Sequence, residues 1–85
     1  MYSVEFTSAA ARQVRKLPPE HRIRVQAKIR ELCADPRPAG ATKLVGEMTA
    51  WRARIGDYRV IYDVFDEVLV VTVVAVGHRR EVYRA

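Results

Sequence analysis

The chain has few of the residues that build covalent or metal-held frameworks. It carries one cysteine, Cys33, and two histidines, His21 and His78. A single thiol excludes an internal disulfide and gives no support for secretion. One cysteine and two scattered histidines do not make a zinc site of ordinary spacing, so no metal and no cofactor is expected. Long apolar runs are missing too. The longest, 68–77, is about half of the ~20 residues that a membrane-crossing helix needs. No signal peptide opens the sequence, and no repeat or low-complexity tract interrupts it. These absences predict a cytoplasmic protein with no membrane partner.

What is present is a small, basic, well-mixed chain. Its 85 residues are expected to form a single domain, 1–85. A chain of this length buries about 60–65% of its unfolded surface, enough to fold alone with a narrow margin. With 49% hydrophobic and 29% charged residues, disorder is excluded. The formal net charge of +5 and the pI near 9.9 suit an anionic partner.

The organising stretch is TAWRARIGDYRVIY, 49–62. Trp51, Ala53 and Ile55 alternate with Arg52 and Arg54 at the period of a strand. Tyr58, Val60 and Tyr62 alternate with Arg59 and Ile61 in the same way. Gly56-Asp57 between them is a two-residue hairpin signal, with Gly56 supplying the positive φ of a type II′ turn. That turn sets the register: Ile55 faces Tyr58, Arg54 faces Arg59, Ala53 faces Val60 and Arg52 faces Ile61. One face is then apolar, and the other gathers Arg52, Arg54 and Arg59. Like charges directly opposite one another destabilise a sheet. Two long side chains splayed into water are the bland reading of Arg54 against Arg59; a third arginine on that face favours an anion site.

Around this hairpin, Tyr2 to Phe6 alternates as a first strand, and Thr7 or Ser8 can cap a helix over about 8–16. Ala10, Val14 and Leu17 form its inner stripe. Leu17-Pro18-Pro19 ends it and starts a second helix over about 19–34. There Val25, Ile29, Leu32 and Cys33 make the apolar stripe. The short connection implies a helical hairpin. Ile23 and Ala27 are expected to meet the first helix, with a partner-binding surface as the alternative, and His21 to be solvated. The stretch 35–40 is a loop by composition, and Lys43 after it is a candidate phosphate contact. The β-branched run 68–76 reads as a central strand. With a tight turn at Asp66-Glu67, Phe65 faces Val68 and Arg59 faces Val74. Leu69, Val71, Val73 and Ala75 then join the core face, while Val76 and His78 join the arginines. The fold class is α+β: a small, mainly antiparallel twisted sheet packed on an N-terminal helical hairpin, in the order β-α-α-β-β-β.

Arg52, Arg54, Arg59, His78, Arg79 and Tyr83 are the polar groups that can converge. Arginine is a fixed cation with a planar fork suited to phosphate. Histidine and tyrosine can give or take protons. RNA supplies its own nucleophile, the 2′-hydroxyl. Cleavage then needs a base, a cation and an acid, and this set contains all three kinds.

The order strand, helix, Leu-Pro-Pro, helix, Asp-Pro-Arg, Lys-Leu, then WRARIGDYRVIYDV and VGHRREVYR resembles the RelE/ParE superfamily of type II toxins, nearest its RelE branch. The resemblance covers essentially the whole chain. It implies a ribosome-dependent, metal-independent endoribonuclease that cleaves mRNA in the ribosomal A site, held inactive by a cognate antitoxin, with operator DNA reached only through that antitoxin. By motif, Arg59 matches the phosphate-binding arginine, Arg79 a second catalytic arginine and Tyr83 the catalytic tyrosine. Arg52 and Arg54 stand where some members have lysines, one of them proposed as general base. Arginine almost never releases its proton. Proton transfer is therefore expected to fall to His78 and Tyr83, with Arg52, Arg54 and Lys43 binding RNA phosphates. Two other readings share the fold: a ParE-type inhibitor of DNA gyrase, and an inactive relic that serves only as an antitoxin- and DNA-complex module.

Overall fold

Thr7 is where the first strand becomes a helix. Its hydroxyl oxygen accepts from the Ala10 N–H at 3.1 Å, satisfying one of the amide groups that a helix start leaves open. The same hydroxyl donates to the Val74 carbonyl at 3.0 Å, which ties the helix start to the sheet. The computed structural model describes residues 1–78. Within them lie β1 (Ser3–Phe6), α1 (Ser8–Lys16), α2 (Pro19–Ala34), β2 (Thr42–Lys43), β3 (Ala50–Ile55), β4 (Tyr58–Phe65) and β5 (Val70–His78). Both helices keep the expected boundaries, because a hydroxyl cap and a Pro-Pro pair punctuate them. The strand β2 is an addition, too short for its periodicity to be read.

The sheet order is β1-β5-β4-β3-β2. β1 runs parallel to β5, and every other neighbour is antiparallel. The two helices cover one face. Their stripes, Ala10 and Val14 on α1 and Val25, Ile29 and Leu32 on α2, meet Ala53, Val60, Tyr62, Val64, Val71, Val73 and Val76 of the sheet. A buried Leu or Val there contributes about 1.5–3 kcal/mol relative to exposure. β1 borders only residues 70–73 of β5. Beyond them α1 takes over the edge: Gln13 Oε1 accepts from the Val76 N–H at 2.7 Å. A covered edge offers no free ladder to a second chain. No helix among the described residues is long and apolar enough to cross a membrane.

The β3–β4 register is the expected one in all four pairs. The β4–β5 register is not. The turn spans the four residues 66–69, so Phe65 faces Val70 rather than Val68. A bulge at Ile61/Tyr62 then adds one residue to β5: Tyr62 faces Val73, but Ile61 faces Ala75. An extra residue on one strand inverts which side chains share a face beyond it. Val76 therefore joins the core and Ala75 the arginine face, the reverse of expectation. Leu69, expected in the core, is 48% exposed in the turn. Ile23, expected against α1, is 64% exposed.

Leu69 also has φ 55, a left-handed conformation in which a branched side chain crowds the backbone. Leu69→Gly is therefore expected to raise unfolding free energy by about 1 kcal/mol, relief of strain outweighing glycine's added chain entropy. Urea denaturation measures it, and an unchanged midpoint counts against strain at this turn.

Two contacts fasten the loop after α2. Tyr62, fully buried, donates its hydroxyl to the Pro36 carbonyl at 2.7 Å. Arg37 Nη2 donates to Asp66 Oδ1 at 3.0 Å, and the Tyr2 hydroxyl donates to the same oxygen. These two donors hold the Asp66 carboxyl below its usual range, and the carboxylate raises Tyr2. The clasp joins the first strand, the loop after α2 and the β4–β5 turn.

Candidate functional site

The tip of the β3–β4 hairpin divides the polar residues between two faces. Gly56 has φ 58, while Asp57 is not among the positive-φ residues. That combination excludes a type I′ turn and fits type II′. A two-residue turn places Ile55 opposite Tyr58 on the helix side and Arg54 opposite Arg59 on the far side.

On the helix-free face, Arg54 is exposed while Arg52 and Arg59 are half-buried. Arg52 faces Ile61, a residue only 3% exposed, so the arginines stand around an apolar floor. Arg59 has Arg54 across one strand boundary and Gly77 across the other. Gly77 brings no side chain of its own beside Arg59 on this face. Neither Arg52 nor Arg54 makes an ion pair among the described residues. Three guanidinium groups share one face, two of them directly opposed, where like charges repel. They present fork-shaped donors matched to phosphate oxygens. Lys43 does not join them. It faces Trp51, which puts it on the opposite side of the pleat.

His78 is displaced as well. The bulge puts it opposite Tyr58, on the helix side, and not among the arginines. The Tyr58 and His78 rings meet edge to face at 5.9 Å and 73°. His21, expected to be solvated, is half-buried with its ring 4.9 Å from that of Tyr58 at 38°. Its Nε2 lies 3.9 Å from a Glu20 carboxylate oxygen. Arg24, which the sequence did not mark, lies over the hairpin turn. A Cβ built on Gly56 falls 3.3 Å from Arg24 Nη2. The spacing of His21 and Arg24, three apart on a helix, was the available signal, since such pairs share one edge. These residues with Ile55 and Asp57 line a cleft of about 290 Å³. Arg79 and Tyr83 lie outside the described residues. Among the described residues no group of three or more His, Cys, Asp or Glu stands close enough to hold a metal ion.

Gly56 is thus constrained by its φ and by its neighbour. Gly56→Ala is expected to destabilise by about 1–2 kcal/mol, since alanine disfavours positive φ and must also displace Arg24. A thermal midpoint equal to that of wild type contradicts this reading.

Comparison with known proteins converges on one group. Residues 4–83 match the family model described as the ParE toxin of the type II toxin–antitoxin system parDE. The toxin RelG of Mycobacterium tuberculosis (strain ATCC 25618 / H37Rv) is 33% identical over 84 residues, covering 98% of this chain and 97% of the relative. The mRNA interferase toxin RelE of Escherichia coli (strain K12) is 35% identical over 86 residues, covering 96% of this chain and 90% of the relative. A chain in the crystal structure of the intact E. coli RelBE toxin–antitoxin complex superposes with a TM-score of 0.83 at 30% identity, covering 99% of this chain and 100% of that one.

Proposed function

The chain belongs to the RelE/ParE superfamily of type II toxins, on its RelE-like side, and on that premise we propose that it is an endoribonuclease that cleaves mRNA in the ribosomal A site. The observation that carries this reading is the opposed pair Arg54 and Arg59, with Arg52 beside them, on the helix-free face of the sheet. Attack by an RNA 2′-hydroxyl on the adjacent phosphate concentrates negative charge on the non-bridging oxygens. Arg59, with Arg54, is placed to accept that charge, and the forks fix the phosphate without surrendering protons. Arg52 holds a neighbouring phosphate. Arg79 is a second cation by motif. Tyr83, also by motif, carries protons between the 2′-oxygen, the departing 5′-oxygen and water. The products are a 2′,3′-cyclic phosphate and a 5′-hydroxyl end. His78 is not given a part in these proton transfers, because its ring lies across the sheet from Arg59. Lys43, on the far side of the pleat, is likewise left out of the phosphate contacts.

The partner that restrains this activity is a cognate antitoxin, as RelB is for the superposed RelE, and operator DNA is reached only through it. The test is end-mapping of a defined message on purified ribosomes stalled with an open A site. Cleavage within the A-site codon, leaving a 5′-hydroxyl, is the expected result. An intact message at toxin excess rejects the reading. A supercoiling assay then separates inhibition of gyrase from a toxin without activity.

A further inference from the structure

The cleft behind the arginines has a chemistry of its own. Three aromatic rings from three elements converge there: His21 of α2, Tyr58 of β4 and His78 of β5. Ile55 supplies an apolar wall, Arg24 a fixed cation and Asp57 a carboxylate. Both histidines of the chain stand in this one place. Flat rings beside a guanidinium are how proteins hold unstacked nucleobases with their phosphates. The Asp57 carboxylate suits a nucleoside better than a bare polyanion, because ribose hydroxyls and base amino groups donate to it while phosphate oxygens repel it. A space of about 290 Å³ admits one nucleotide and little more.

We propose that the cleft formed by His21, Arg24, Ile55, Tyr58 and His78 is a single-nucleotide subsite that holds one residue of the RNA strand whose phosphates lie on the arginine face. The proposal rests on the reading of the arginine face as the RNA site. The geometry that links the two is the hairpin tip. Tyr58 and Arg59 are consecutive, so their side chains leave the strand on opposite faces, with Cα atoms about 3.8 Å apart. An RNA strand folded over this tip sets phosphates on the arginine face and a nucleotide further along the strand against the rings. Arg24 is a positioning residue here: it binds the nucleotide and touches no reacting atom.

The two histidines are the reporters. The imidazole carbon–proton signals of the full chain, assigned with His21→Ala, are followed by NMR as adenosine 5′-monophosphate is added. Both signals are expected to move saturably, with a low-millimolar dissociation constant. Arg24→Ala, at an exposed position, is expected to weaken this about tenfold. Arg15→Ala, an equal loss of charge on exposed α1 surface, leaves it within about twofold. Inorganic phosphate is the second arm. If it moves the signals as far as the nucleotide does, the cleft takes an anion only and the proposal is overturned. Unmoved signals overturn it too, as does an Arg24→Ala titration that matches wild type. On ribosomes, Arg24→Ala raises the toxin concentration needed for half-maximal cleavage and leaves the saturated rate unchanged. Wild-type protein that binds the nucleotide but leaves the message intact defeats the RNase reading, not the subsite.

Discussion

Arg59→Ala is expected to lower the rate of the proposed A-site cleavage about 10²–10³-fold. On the proposed reading the side chain stands where charge accumulates on the phosphate, and one preorganised donor at such a place is worth about 3–4 kcal/mol of barrier. Its removal also ends the opposition with Arg54. The variant loses activity even though this repulsion is relieved. Arg54→Glu makes the contrast sharper. An opposite charge facing Arg59 is expected to stabilise the sheet by about 0.2–1 kcal/mol, and it also withdraws Arg59 from the phosphate. Single-turnover cleavage on stalled ribosomes together with urea denaturation reads both quantities. Loss of activity accompanied by loss of stability in both variants places Arg54 and Arg59 in the scaffold instead of the site.

Tyr62→Ala costs about 3–5 kcal/mol, a large share of the ~5–15 kcal/mol that holds a typical domain. The ring fills the middle of the core beside Val60 and Val73, and the hydroxyl is the buried donor to Pro36. Tyr62→Phe keeps the ring and leaves that carbonyl without its donor, at about 1–3 kcal/mol. The two losses separate packing from hydrogen bonding. pH gives a second separation. Burial pushes the Tyr62 hydroxyl up to about 12 from its ordinary value of 10.0. The neutral form is the one the fold holds. Its contribution is complete below about 10 and is lost as pH rises through about 12, to a total of about 2–3 kcal/mol. Denaturation at about pH 8 and about pH 11 should show wild type losing stability relative to Tyr62→Phe by about 1 kcal/mol. Parallel pH responses of the two proteins contradict this.

The parts of the fold that sequence could supply were those with local causes. Thr7, the Pro-Pro pair and Gly56-Asp57 each fix a boundary or a register within a few residues, and β3–β4 follows from them completely. What escaped depends on distant partners. The 66–69 turn contains no glycine, so nothing in its composition announces that Leu69 takes a left-handed conformation. The bulge at Ile61/Tyr62 is stabilised from outside the strand pair, since the Val74 carbonyl is taken by Thr7 and the Val76 N–H by Gln13. Those bonds span more than sixty positions, and no periodicity within β5 encodes them.

One residue of slip decided how much of the site was legible. Arg52, Arg54 and Arg59 were found together because their hairpin is local. The bulge, which no local signal marks, carries His78 to the helix side, so alternation along β5 alone points it to the other face. The helix-side cleft was not visible, since His21 and Arg24 approach Tyr58 and Gly56 only when α2 lies on the sheet.

The parallel pairing of β1 with β5 bears on how the protein is made. Residues 3–6 leave the ribosome first and pair with residues 70–73. During most of synthesis the first strand has no partner, and α1, whose side chains bond β5, has no surface to hold it. Closing so long a loop is slow compared with helix formation or the local hairpin. The sheet that carries the arginine face is therefore finished only after β5 has cleared the exit tunnel. Completion of that face is thus set by a long-range pairing, and the local hairpin that bears the arginines forms before the sheet around it is whole.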